Sequence, residues 1–556
     1  VAELPSDEVD VETLLRRLDA LRGKRSTFDT HWEEIALRVW PAAADFVTRR
    51  EPGEKRTQRM VDSTAANALE RFAAILESLL TPRHQMWHRL RATDPALNED
   101  PATKVWFEQV NKILNDTRRS PRANYHSQKH EGYKSLGAFG TEAMFIDEAP
   151  SGRGVRYQNC YLGQVYIDVA PGGQVDTVYR LYPMTAKAVY QQWGNRTPPK
   201  IKESLEQRPF EMFDILHAVS PRKLVDPERF GPESMPWQSH YVSVSDKLVI
   251  ESGGYEEMPY TVGRYTVNPT EVYGRSPAML ALPTIHLLNE MKRSVIRQAH
   301  RAIEPPLLLH DDGVMGAGSR AVRLTPNGLN YGGVDSQGRE LIKPLITGSR
   351  LEITREMIGD ERDTVNEFFL VSLFRILLDD PRIRTATEVL ERAKEKAQVL
   401  APTIGRQQSE TLGPQLEREL AIHMRQGLLP PLPPALVEAG GEYEIEYVSE
   451  ATQMQRAGEL VGIRNTLELL TPFAALDPGA LDVFDSEQVA RVSAEIENVP
   501  TKVLRTPEQL AQIREQRAQA AQQAAQLAQA EQMAGAAKDG AGALQLIQGG
   551  LGGGAA

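Results

Sequence analysis

The stretch from Tyr273 to Gly427 constrains the fold most, reading as helix, compact β-rich insert, helix, short loop and one very long helix. The first helix opens at Tyr273-Gly274-Arg275-Ser276-Pro277, where Ser276 suits the N-cap and Pro277 the first helical position. Ala281, Ile285, Leu288, Val295, Ala299 and Ala302 recur at helical spacing along one face. Arg293, Arg297 and Arg301 line another stripe, and Pro305-Pro306 ends the helix. The partner helix, near Leu351–Leu373, is acidic: Glu352, Glu356, Asp360, Glu361, Asp363 and Glu367 outnumber Arg350, Arg355 and Arg362. Such flanks complete each other within an antiparallel hairpin, or between copies, the basic helix of one against the acidic helix of the next. The second arrangement is heterologous and closes into a ring when the rotation allows. An intramolecular hairpin with solvated charges explains the same pattern, because surface ion pairs carry little energy.

Between the helices, Leu307–Ile346 alternates short apolar runs with Gly and Asn327-Gly328, predicting two or three short strands. Its glycines (Gly313, Gly316, Gly318) lack the Lys-Ser/Thr ending of a phosphate-binding loop. The long helix starts at the capping box Thr385-Ala386-Thr387-Glu388 and is predicted to reach Gln426, with Gly427 ending it. Some forty helical residues span roughly 60 Å. Pro402, Gly405 and Gly413-Pro414 predict one or two kinks along it. Leu377–Arg384 is the connecting loop.

A chain of 556 residues accommodates three or four domains and a sizeable core. With 41% apolar and 25% charged residues and a mean hydropathy of −0.40, it has the composition of a soluble globular protein. One cysteine, Cys160, excludes an internal disulfide and a Cys-based zinc site, and points to synthesis in a reducing cytoplasm. No apolar run approaches a membrane span, and the acidic N-terminus is unlike a signal peptide. A net charge of −11 argues against a protein that grips nucleic acid over its whole surface. It leaves room for one that lets nucleic acid slide past.

The expected fold class is α+β, mainly helical. Helices are predicted from Val11 to Gly23, through Trp32–Val39, from a Ser63 or Thr64 cap to Leu80, and over 102–116 and 125–136. Gly137–Ile146 reads as turning into a strand. Tyr161–Val169 and Val175–Leu181, around Pro171-Gly172-Gly173, read as a hairpin. A short helix between Thr185 and Gly194 and strands at 237–244, 248–251 and 260–265 complete an α+β region over 150–270. After the stiff Pro430–Pro434 linker, Tyr443–Tyr447 reads as a half-exposed strand. Helices follow near 451–470, 486–498 and 506–534, and Gly535–Ala556 reads as disordered.

Catalytic patterns are sparse. His31-Trp32-Glu33-Glu34 lacks the second histidine of a zinc helix, and His310-Asp311-Asp312 reads as a polar loop tip more readily than a cation site. Asp379 and Asp380 suit the dipole of the helix that follows. With a divalent ion they are also the basis of the alternative reading, a metal-dependent DNA-processing enzyme. A cellular helical scaffold is a third reading. No metal, cofactor or catalytic residue is assigned. The six tryptophans read as core.

Four stretches, in order, resemble the portal, or head-to-tail connecting, proteins of T7-like short-tailed bacteriophages. They are Asp62-Ser63-Thr64 through Leu80-Thr81-Pro82 to Trp87-His88-Arg89-Leu90; Gly137-Ala138-Phe139-Gly140-Thr141-Glu142-Ala143 with Val175–Arg180 and Met184-Thr185-Ala186; Tyr273–Pro277 with Ala281-Leu282-Pro283, Leu288-Asn289 and Pro305-Pro306-Leu307; and Arg384–Val389. The resemblance covers about residues 10–515.

It implies a ring, usually of twelve subunits, around a DNA channel at one capsid vertex, made in the host bacterial cytoplasm. It also implies a parts list. Residues 1–270 and 428–450 would be the wing, 271–304 and 348–373 the two stem helices, and 305–347 the clip. The tunnel loop would be 374–385, the long kinked helix 386–427, and the crown 451–534. Implied partners are double-stranded DNA, held non-specifically, the major capsid protein, scaffolding protein, terminase and tail adaptor, with no membrane and no enzymatic step. On this expectation Arg293, Arg297 and Arg301 face Glu352, Glu356 and Asp360 of a neighbouring subunit. Arg382 and Arg384 form a basic ring in an otherwise acidic channel, unless they pair with Asp379, Asp380 or a neighbour.

Overall fold

The computed structural model of the chain describes residues 10–98, 100–150, 152–223, 225, 231–303, 307–309, 336–340, 342–344, 351–371, 400–448, 460–469, 485–496, 505, 509–524 and 526–527. It is mixed helix and sheet. One compact unit takes in residues 1–91, 108–431 and 443–455, and a second takes in 92–107, 432–442 and 456–556.

The first unit opens with α1 (Val11–Val39), capped by Asp10, whose Oδ1 accepts from the Glu12 N–H at 3.0 Å. The expected break at Gly23 does not occur. An interior glycine costs roughly 1 kcal/mol, and the next turn outweighs it. Buried Arg25 donates to the carbonyls of Leu162, Gly163 and Val165 at 2.7–3.0 Å and pairs with Asp29 at 2.9 Å.

Next come α2 (Thr64–Leu80), β1 (His88–Ala92), α3 (Pro101–Arg119) and α4 (Tyr125–Phe139). α4 runs past Leu136 and ends at Gly140, whose φ of 78° is left-handed, so β2 (Thr141–Glu148) starts four residues later than expected. β3 (Val155–Asn159) pairs with β2. β4 (Val165–Val169) and β5 (Val175–Thr185) form the expected hairpin. α5 (Ala186–Trp193) has the expected cap, Thr185 Oγ1 accepting from the Ala188 N–H at 3.2 Å, and Gly194 ends it.

α6 (Pro199–Gln207) and β6 (Met212–Pro221) have no counterpart in the sequence-based expectation. β7 (Trp237–Ser243), β8 (Leu248–Tyr255) and β9 (Tyr260–Arg264) follow. β4-β5-β6-β7-β8 is one antiparallel sheet with β6 at its centre, and β3-β2-β9 is a second. On one face Leu216 and Ala218 of β6 meet Leu18 and Leu21 of α1. On the other, Ile215 meets Val189, Trp193 and Ile201 of α5 and α6. A strand covered on both faces shows no polar alternation, which is why β6 is silent in the sequence. Its His217 is buried between the Tyr260 hydroxyl (2.6 Å) and Ser239 Oγ (3.0 Å). Burial, and then the nearby Arg180 charge, pull its pKa down to about 3.

α7 (Pro277–Ile303), the antiparallel pair β10 (Leu307–Leu309) and β11 (Ile342–Pro344), and α8 (Leu351–Phe368) reproduce the helix–insert–helix order. Ser276 is the expected cap, its Oγ accepting from the Met279 N–H at 3.0 Å. α8 stops short of Leu373: Phe369 is buried beside Phe72, with ring centroids 6.2 Å apart, and Leu370 takes a left-handed φ of 60°. Apart from residues 336–340, the rest of the insert, the connecting loop and the capping box at Thr385 lie outside the described residues.

Helix is again described from 400, passing through Pro402 and Gly405 without interruption. The irregularity is a π turn over Gln408–Leu412, directly before α9 (Gly413–Arg425). Pro414 has no N–H for the preceding turn, and the backbone widens there. The Gln408 carbonyl accepts from the Gly413 N–H and from the Tyr447 hydroxyl at 3.1 Å. Gly427, at φ 62°, follows the helix as expected.

In the second unit, Asn98 bonds both backbone groups of Ala92 at 2.8 and 3.0 Å. α10 (Pro434–Glu438) begins at the last proline of the run read as a linker. α11 (Ser486–Ile496) is capped by Asp485, and its Glu487 pairs with Arg514 at 2.9 Å. Back in the first unit, β12 (Tyr443–Tyr447) is the half-exposed strand expected, paired with β1. The tail from Gly535 lies outside the described residues. Trp32, Trp87, Trp106 and Trp193 are buried.

Candidate functional site

One carboxylate ties both helices of the α7–α8 hairpin to the start of α2. Asp62 Oδ2 accepts from Lys292 of α7 at 3.0 Å and from Arg362 of α8 at 2.7 Å. Its Oδ1 accepts from the Thr64 N–H at 2.8 Å, capping α2, whereas Ser63, one of the expected caps, makes no side-chain cap bond. Asn289 of α7 completes the junction: its Oδ1 accepts from the Val61 and Asp62 N–H groups at 2.8 and 3.0 Å. The Asp62 side chain is only 2% exposed. Burial pushes its pKa up, but hydrogen bonds from Thr64, Arg362 and Lys292 outweigh that and hold it well below the carboxylate range.

Asp62→Asn keeps the shape and removes the charge that both cations answer. Charge-assisted bonds contribute about 1.5–3 kcal/mol each to such a site. Solvent reaches both cations, so the expected loss is about 2 kcal/mol, read as faster amide exchange across α8. Exchange unchanged there would rule the clasp out.

The hairpin brings the sequence candidates to its surface. Arg293 pairs with Glu290 at 2.5 Å. Arg297, Arg301, Glu356 and Asp360 are exposed and pair with no described residue. The side chain of Glu352 is outside the described part, as are Arg382, Arg384, Asp379 and Asp380 in full. Leu280, Leu287, Ile296, Ile303 and Met357 are also exposed on the hairpin. Asp62, Asn289, Lys292 and Arg362, which carry the clasp, were not singled out from the sequence as contacts. Asp62 and Asn289 stand inside quoted motifs, but nothing local says they meet.

Downstream of the loop, the long helix is fixed by buried ion pairs. Glu410 takes three bonds from Arg264, to its N–H, Nε and Nη2, at 2.8–3.1 Å. Glu419 accepts from Arg118 Nε at 2.8 Å, and both side chains are at most 2% exposed. Arg118 also lies 3.2 and 3.3 Å from the ring nitrogens of His88, and over Trp87. Burial, and then Arg118, hold His88 neutral, well below its ordinary pKa. Arg418 reaches Glu257 at 2.8 Å. The described parts of α8 and of the helix from 400 onward are therefore each tied by ion pairs to earlier elements of the first unit. Among the described residues no cluster of His, Cys, Asp or Glu is arranged to hold a metal, and no helix is long and apolar enough to cross a membrane.

The profile described as "Bacteriophage head to tail connecting protein" matches residues 11–504. The chain belongs to that family. Its role is that of a phage portal. It is 29% identical over 502 residues to the "Portal protein" of Salmonella phage epsilon15, and 28% identical over 499 residues to the "Probable portal protein" of Bordetella phage BPP-1, each match covering 88% of both chains.

Two motif stretches of the connector touch. Gly274 donates its N–H to Thr141 Oγ1 at 2.9 Å, Ser276 Oγ donates to the Ala138 carbonyl at 2.8 Å, and Tyr265 N–H donates to the Gly140 carbonyl at 2.9 Å. A Cβ on Gly274 would fall onto the Gly140 carbonyl oxygen, and one on Gly140 onto Gly274 and Arg275 backbone. The start of α7 is therefore seated on the turn that ends α4.

Proposed function

We propose that copies of this connector close into a ring, of twelve by the family resemblance, at one capsid vertex, and that double-stranded DNA passes through it during packaging and ejection. The match along residues 11–504 carries the reading. The exposed basic face of α7, the exposed acidic face of α8 and the apolar side chains beside them support it, since each suits a like hairpin in the next copy.

On this reading α7 and α8 are the stem, the residues between them the clip, residues 1–270 and 428–450 the wing, and 451–534 the crown. The loop at 374–385, set between α8 and the bolted long helix, is nearest the DNA, with Arg382 and Arg384 as its basic ring. An acidic surface limits counterion-release affinity, and hence drag on the duplex. The ring docks terminase during packaging and a tail adaptor afterwards, with the major capsid and scaffolding proteins as assembly partners. It acts in the virion after synthesis in the host cytoplasm. No described residue favours a DNA-processing enzyme.

The test is native mass with negative-stain images. Twelve copies of the 61.9 kDa chain give about 740 kDa in a closed ring with a central hole. A chain that stays monomeric or dimeric across salt and concentration would refute the ring.

A further inference from the structure

Where α1, the turn at Thr57–Arg59 and α7 meet, a pocket of about 250 Å³ opens, lined by Arg38, Arg59, His286, Asn289, Glu290 and Arg293. Three guanidinium groups from three elements surround it. Two carboxylates answer only part of that charge. Glu290 is engaged by Arg293 at 2.5 Å. One oxygen of Glu34 is shared between His286 at 2.9 Å and Arg38 at 3.6 Å. Arg59 is exposed and pairs with no described residue. Burial lowers the pKa of Arg38 against the pull of Glu34, and the charges of Arg59 and Arg293 lower it further. Asn289 is spent on the Asp62 junction. The pocket is a partly enclosed cationic site with an anion still to be supplied.

We propose that this pocket receives the α8 carboxylates of an adjacent copy of this chain, Glu356 and Asp360. The proposal rests on the ring reading and deepens it. Both acids are exposed and unpaired among the described residues, while Arg362 on the same helix is committed to Asp62. Arg293 belongs both to the pocket and to the basic stripe of α7, so the pocket extends that stripe onto α1. In a ring, each copy presents its carboxylates at high effective concentration, which a free anion does not match.

The test uses the full chain and Arg59→Glu, an exposed position. Like charges facing each other are costly, and roughly tenfold more protein is expected to be needed for half-assembly, read by native mass at moderate salt. Adding Glu356→Arg and Asp360→Arg restores assembly. An unchanged assembly midpoint for Arg59→Glu, with wild-type rings intact, overturns the proposal and leaves the ring standing. Normal rings that retain DNA less well show that the pocket serves a phosphate, and also overturn it. A wild type that never assembles removes the ring reading and this proposal together. Proximity is checked independently of any charge reversal with Arg59→Cys/Glu356→Cys, since the native Cys160 is buried. A short bismaleimide yields a ladder of covalent multimers if the residues meet between copies, and assembled rings without a ladder overturn the assignment.

Discussion

Glu419→Ala is expected to destabilise the first unit by about 3–5 kcal/mol, the cost of removing one partner of a buried ion pair. Arg118 cannot escape by losing its proton, and it is completely enclosed by Trp87, His88 and α9. His88 is held neutral and carries no negative charge to answer Arg118. Gln415, which donates to Glu419 at 2.7 Å, would lose its acceptor too. Urea unfolding, with amide exchange over 413–425, measures the loss. Replacing both partners, as Arg118→Met/Glu419→Met, is expected to be close to neutral, because no charge is then stranded. A Glu419→Ala loss under about 1 kcal/mol would mean that water reaches Arg118 and the pair is not buried in solution. The junction also sets an acid limit. His88 has a depressed folded-state pKa, so its unfolded form takes up the proton first, and stability should fall as pH drops below about 6.5.

Gly274→Ala is expected to cost about 3 kcal/mol or to block folding of the hairpin base, because the clash is with backbone and no rotamer relieves it. The added methyl would push Gly274 off Gly140, breaking the Thr141 bond and shifting the Ser276 cap of α7. Ring assembly should fall with it, since the seat of α7 sets where both hairpin faces point. Ala substitution at Gly172, whose Cβ would meet open space, is the matched control and should be nearly silent. Equal behaviour of the two variants in thermal unfolding and native mass would refute the close approach.

These two sites show where sequence legibility ends. Ser276-Pro277, Thr185 and Gly427 announce helix ends because capping is a contact within a few residues. The charge contrast between α7 and α8 is legible for the same reason, each stripe being set by helical period alone. Gly23 misleads, because the cost of one glycine is small beside three carbonyls and an aspartate waiting for Arg25. Strand β6 is silent because helices cover both its faces. The motif residues Gly140 and Gly274 stand out in the sequence, but only the structure shows that their backbones meet where a side chain would have to sit.

The sequence by itself determined the order of elements around the hairpin, the charges on its two helices and the family to which the chain belongs. These depend on local spacing, capping and charge, which a linear string carries in full. Only the tertiary structure decided that Asp62 clasps α7 to α8, that Glu419 and Glu410 bolt the long helix, and that Arg38, Arg59 and Arg293 converge on one pocket. Each joins residues far apart in the chain, and burying a charge is tolerable only where folding delivers its partner.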